Sequence, residues 1–156
     1  MSLHSQRSEQ LAALAGQVSD ADEATSELFS KIIVATARRL WAPSEAAKAV
    51  QLHDLLEAGA LTQAALSLIE LELPFWKLRR IAYDEGEWHC AMSRQRELPE
   101  WLDEVVEARH PSLTLAILSA YLETVGQIEL SRAPSRPSVP QTRAEQYEPL
   151  YCENFA

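Results

Sequence analysis

A chain of 156 residues, 47% hydrophobic and 24% charged, has the length and composition of one globular domain. Its 23 acidic against 14 basic side chains leave a formal charge of −9, which repels phosphate backbones and anionic lipid and argues against nucleic acid or a membrane surface as partner. The polar opening Met1-Ser2-Leu3-His4-Ser5-Gln6-Arg7 lacks the apolar core of a secretory signal, and the longest apolar stretch, 113–125, is interrupted by Thr114, Ser119, Glu123 and Thr124; the expectation is a soluble, cytoplasmic protein.

In the first segment Leu11, Leu14, Ala15 and Val18 recur at helical spacing and predict a short helix or arm over 8–18. Asp20 and Glu23 form a capping-box pattern, and Leu28, Phe29, Ile32, Ile33, Thr36 and Leu40 mark a helix running to about Trp41, stopped by Pro43. Ser44 is the expected N-cap of the next helix, with Ala46, Ala49, Val50, His53 and Leu56 on its inner side and Gly59 at its left-handed end. A further helix over 62–72 is apolar around much of its circumference through Ala65, Leu66, Leu68, Ile69 and Leu73, and Pro74 closes it.

From Phe75 the period changes to two, and the runs 76–83 and 87–93 on either side of Asp84-Glu85-Gly86 read as a β-hairpin. A two-residue type I′ turn would force Glu85 to positive φ, so Gly86 is placed at the left-handed position of a three-residue loop. That choice pairs Ala82 with Trp88, Ile81 with His89, Arg80 with Cys90 and Leu78 with Met92. Leu78, Trp88, Cys90 and Met92 then share the buried face, with Trp76 beyond them, and Ile81, Tyr83 and His89 the outer one.

Pro99, followed by Glu100, Asp103 and Glu104, predicts another helix with Trp101, Leu102, Val105 and Val106 inside, ended by His110-Pro111. Ser112 caps a last helix over 113–130, so apolar through Leu115, Ile117, Leu118, Tyr121, Leu122, Val125 and Ile128 that it is either central or meets a partner. Beyond it, Pro134, Pro137, Pro140 and Pro149 favour extended backbone, while Tyr147, Leu150, Tyr151 and Phe155 supply anchors for docking on the same domain or on a second copy. The expected organisation is an N-terminal short helix or arm (1–19), a single globular domain (20–130) and a proline-rich C-terminal arm (131–156). The expected class is α+β, mostly helical, with five or six helices on one antiparallel hairpin.

The glycines, Gly16, Gly59, Gly86 and Gly126, stand too far apart to cradle a phosphate, and neither a Gly-x-Ser-x-Gly elbow nor a His-Glu-x-x-His helix occurs. Cys90 and Cys152 read as two reduced thiols, with a bridge from tail to hairpin as the alternative. His89 and Cys90 are neighbours on a strand and point apart, so they do not share a metal. Cys90 opposite Arg80 is a candidate activated thiol, weighed against a small core residue, and His53 reads as a core imidazole rather than a base. Trp76, Trp88 and Trp101 form either core or the lining of an aromatic pocket. The candidate pocket or interface is therefore Trp76, Arg80, Trp88, His89, Cys90 and Trp101, with no catalytic, metal or cofactor-binding residue assigned.

The stretch Leu71-Glu72-Leu73-Pro74-Phe75-Trp76-Lys77-Leu78-Arg79-Arg80, with Glu87-Trp88-His89-Cys90 and Leu115-Ala116-Ile117-Leu118, resembles a group of small alpha-proteobacterial proteins of unknown function, those of Rhizobiales in particular. The resemblance covers the middle half of the chain. It implies a bacterial cytoplasmic setting and no functional residue. The leading expectation is a non-enzymatic protein acting through protein–protein contact or as a homodimer, motivated by the apolar last helix, the free hairpin edges and the proline-rich arm. The alternative is a small-molecule binder or enzyme with an aromatic pocket near the hairpin.

Overall fold

The computed structural model describes residues 3–37, 43–94 and 104–132. Within them, five helices and a three-stranded antiparallel sheet give the expected α+β, mostly helical class. Helix α1 spans Leu3–Asp20 and turns Leu11, Leu14 and Val18, which recur every three or four residues, into the core. Because α1 continues through Asp20, that residue is unavailable as the cap of the next helix. Thr25 takes the role instead: its backbone is extended and its Oγ1 accepts a hydrogen bond from Leu28 N at 3.1 Å, so α2 runs Ser26–Thr36. Leu40 and Trp41, expected to prolong it, lie outside the described residues.

A 3-10 turn, Pro43–Glu45, leads into α3 (Ala46–Glu57), with Glu45 rather than Ser44 at the cap position and no side-chain bond there. The buried side of α3 is rotated from the expected one. Leu52 is buried and Ala49, Leu55 and Leu56 pack on the core, whereas Val50 is 60% exposed and His53 lies outside, 3.2 Å from Glu57. The three leucines carry more apolar area than one valine and one imidazole, and they set the facing. At the end of α3, Gly59 has φ 76; its N–H donates to Leu56 O and that of Ala60 to Leu55 O, a Schellman terminus. Helix α4, Leu61–Glu72, packs against α3 and against the last helix, α5 (Leu113–Arg132). Thr62 Oγ1 and Thr114 Oγ1, 2.6 Å apart, join the starts of α4 and α5.

The strands are β1 (Lys77–Asp84), β2 (Glu87–Ser93) and β3 (Val105–His110), in the order β1-β2-β3. Strand β3 stands where the sequence predicts helix. Val105 and Val106 are β-branched, and pairing Val106, Ala108 and His110 with Met92, Cys90 and Trp88 completes the face that the helices cover. The predicted start of that helix, with Pro99, Trp101 and Leu102, lies outside the described residues, as does the C-terminal arm with Cys152.

Helix α5 resolves the alternative posed by its composition, because it is central. It packs on β2 and β3 on one side and on α1 and α4 elsewhere. Leu115, Ala116, Ile117, Leu118, Ala120, Tyr121 and Thr124 are all fully buried. Helix α1 joins the same core, and Arg7 Nε donates to Glu129 Oε1 at 2.9 Å near the end of α5. Among the described residues no helix is long and apolar enough to cross a membrane.

Candidate functional site

The hairpin turns on Glu85 (φ 50) and Gly86 (φ 83), both left-handed, which makes a two-residue type I′ turn rather than the expected three-residue loop. Asp84 therefore faces Glu87, Tyr83 faces Trp88, Ala82 faces His89 and Ile81 faces Cys90. A non-glycine residue in this region costs about 1–2 kcal/mol. The register gained sets the rings of Tyr83 and Trp88 edge to face, with centroids 5.0 Å apart, a geometry that contributes about 0.5–1.5 kcal/mol beyond buried area. The extra residue expected in the loop sits in the strand instead. A bulge between Leu78 and Arg80 restores Leu78 to its place opposite Met92 and Lys77 to its place opposite Ser93.

This register redistributes the candidate residues. Leu78, Trp88, Cys90 and Met92 keep the helix-facing side, and Ile81 and Tyr83 join them there, across from Cys90 and Trp88. Arg80 moves to the outer side, opposite Ala91 rather than Cys90. Its Nη2 donates to Glu107 Oε1 at 2.9 Å, an ion pair that passes over Ala91, the residue between them in the sheet. Both side chains remain about half exposed, so the pair contributes roughly 0.2–1 kcal/mol.

Cys90 is a free, buried thiol on the face opposite Arg80, and desolvation pushes its pKa from 9.0 up to about 11. The guanidinium-activated nucleophile considered from the sequence is thus replaced by an unreactive core residue. His89 lies half-buried on the outer side, between Ala82 and Arg109. His110, read from the sequence as a helix end, is buried beside Trp88, and its Nδ1 accepts a hydrogen bond from Ser112 N at 2.9 Å.

Trp76 and Trp88 are not brought together. Trp76 precedes β1 at the end remote from the turn, about six strand positions or ~20 Å from Trp88, and is buried. It lines a cleft of about 330 Å³ with Leu73, Phe75, Arg94, Gln127 and Ile128, and another of about 350 Å³ with Leu66, Ile69 and Leu78. Trp101 lies outside the described residues. Among the described residues no three His, Cys, Asp or Glu side chains stand close enough to share a metal.

Among the described residues, what the turn end of the hairpin does assemble is an open edge. Strand β1 is outermost in the sheet, and Ile81 and Tyr83 on it are 42% and 60% exposed. Helix α5 packs on β2 and β3. The half of β1 nearer Trp76 is guarded by the bulge and by Lys77, Arg79 and Arg80, the usual devices against edge pairing. The half from Ile81 to Tyr83 has neither bulge nor cation. Compared with protein-family models, with curated proteins and with solved structures, the chain has no significant match.

Proposed function

We propose that the protein is a non-enzymatic, cytoplasmic interaction module that binds a protein partner through the turn end of its sheet. The observation that carries this reading is the unguarded half of β1, where two large apolar side chains, Ile81 and Tyr83, stand exposed on an edge strand. Main-chain addition to such an edge gives affinity, and the exposed side chains on one face give specificity. The burial of Cys90 and the division of the candidate residues between two faces of the sheet favour contact over chemistry.

A photo-crosslinking amino acid at position 83, introduced in the native host, tests the proposal. A covalent adduct to a protein is expected from position 83 and not from position 34 on α2, where Val34 is 84% exposed. Equal adduct yields at the two positions would overturn it.

A second reading, small-molecule binding, draws on the 330 Å³ cleft, in which apolar Leu73, Trp76 and Ile128 converge with polar Arg94 and Gln127. Anilinonaphthalene sulfonate is its probe. Saturable fluorescence enhancement that Ile128→Glu removes would support this reading, and enhancement unchanged by that substitution would dismiss it.

A further inference from the structure

The unguarded edge of β1 is complementary to itself. In a two-residue hairpin the pair flanking the turn, here Asp84 and Glu87, exchanges both N–H···O bonds, and bonded pairs alternate from there. Ala82 therefore turns its backbone groups toward His89, while Ile81 and Tyr83 turn theirs to the open edge. We infer that the occupant of this edge is the same edge of a second copy of the chain, laid antiparallel about a two-fold axis at Ala82. The inference rests on the interaction reading above and names its partner.

In this register Ile81 lies opposite the partner's Tyr83, and Tyr83 opposite the partner's Ile81. These are the residues whose N–H and C=O groups face outward, so the backbone geometry permits the pairing without a slip. Each interface row on the helix-facing side then runs Trp88, Tyr83, the partner's Ile81, the partner's Cys90, so that Ile81 and Tyr83, exposed on this edge in one copy, are covered by their counterparts in the other. The same interface occurs twice, as a closed two-fold contact requires.

Charge selects this register over its neighbours. Asp84 and Glu87 are like charges directly opposite one another in the hairpin, with Glu85 beside them, an arrangement that destabilises an isolated pair. Pairing about Ala82 sets the partner's Arg80 opposite Asp84 and brings the partner's Arg79 near Glu85. Arg80 keeps Glu107 on its other side, since a guanidinium has donors enough for both carboxylates. Moving the axis toward the bulge instead sets Arg79 and Arg80 of the two copies against each other. The contact is smaller than a standard interface of about 1,600 Å², so association half-complete at about 10–100 µM is expected.

The test joins sedimentation velocity of the full chain with cysteine crosslinking in a Cys152→Ser background. Directly opposed residues of a non-bonded antiparallel pair have Cα atoms about 4.5 Å apart, within disulfide range. Ala82→Cys should therefore give a covalent dimer on mild oxidation, and Arg80→Cys, which would face position 84 of the partner, should not. Ile81→Lys should weaken association at least about tenfold, with circular dichroism unchanged and the melting temperature little changed at about 1 µM, where both proteins are monomeric, because Ile81 is already partly exposed. Dimers that do not crosslink through position 82, or that Ile81→Lys leaves intact, would overturn the inference. A monomer at about 100 µM would overturn it as well. In that case, a position-83 adduct to a different protein leaves the interaction reading standing, and the lack of any specific adduct removes both.

Discussion

The phenolic hydroxyl of Tyr121, in the middle of α5, donates a 2.8 Å hydrogen bond to Thr36 Oγ1, the last residue of α2. Thr36 Oγ1 in turn donates to Ile32 O at 2.7 Å. Tyr121, Thr36 and Ile32 are all buried, and the relay joins α2 to α5 across 85 positions of sequence. Tyr121→Phe should destabilise the protein by about 1 kcal/mol, and Thr36→Val by about 1–2 kcal/mol, because it removes the phenol's acceptor as well as its own bond. Urea denaturation of the double variant should show a loss smaller than the sum by about 0.5 kcal/mol or more. Strict additivity would mean that the two hydroxyls act independently.

Glu85 is the one described non-glycine residue with positive φ. Asparagine tolerates that conformation better, and Asn-Gly is the preferred type I′ pair. Glu85→Asn should therefore raise stability by about 0.5–1 kcal/mol, and Glu85→Val, with its branched Cβ, should lower it. Part of the gain from Glu85→Asn comes from relieving the acidic cluster with Asp84 and Glu87. Glu85→Gln, which removes the charge and keeps the strained backbone, separates the two contributions in thermal melts.

Burial that raises the Cys90 thiol to about 11 makes the folded state hold its proton more tightly than the unfolded state does. This contribution to stability is complete below the unfolded value and is lost as pH rises from about 9 toward about 11. The stability difference between the parent and Cys90→Ala should accordingly narrow as pH rises from about 9 toward about 11. In a Cys152→Ser background, Cys90 should react with a disulfide reagent only at the rate of unfolding. Immediate stoichiometric labelling under native conditions would contradict the burial.

Helices α4 and α5 were legible because many of their positions are apolar and a local signal marks one end of each, the stop at Pro74 and the cap at Ser112. The boundary of α2 was not. Asp20 and Glu23 have the composition of a cap, and only the continuation of α1 through Asp20 passes that role to Thr25. Strand β3 was hidden for a related reason. Its inward positions are Val106, Ala108 and His110, one small and one polar, so the alternation with Glu107 and Arg109 is short and weak, and the preceding Pro99 and acidic residues imitate a helix start.

The hairpin itself was legible, together with the burial of Cys90 and Met92 and the partial burial of Leu78, yet its register near the turn was not. Local φ preference favoured a three-residue loop, whereas the ring pair Tyr83–Trp88 favours the tighter turn, and such a cross-strand contact is not a local property. That single slip separated Arg80 from Cys90 and brought Ile81 and Tyr83 to the helix-facing side of the edge. The exposed edge could have been found by weighing both turn types against the aromatic pair each creates.

The deep burial of the first half of α5 bears on when the chain can fold during its synthesis. Helices α1 and α4 and the sheet pack against a helix that is made after all of them. Until the segment 113–125 leaves the ribosome, Leu14, Leu68 and Met92 lack the surface that excludes water from them, and the first hundred residues emerge without a finished core. Ribosome-bound chains ending before Leu113 should be digested by protease at every stage, and resistance should arise in one step once α5 is free. Folding is thereby deferred to the end of the domain, and the hairpin edge is presented to other chains only once the helices have closed on β2 and β3.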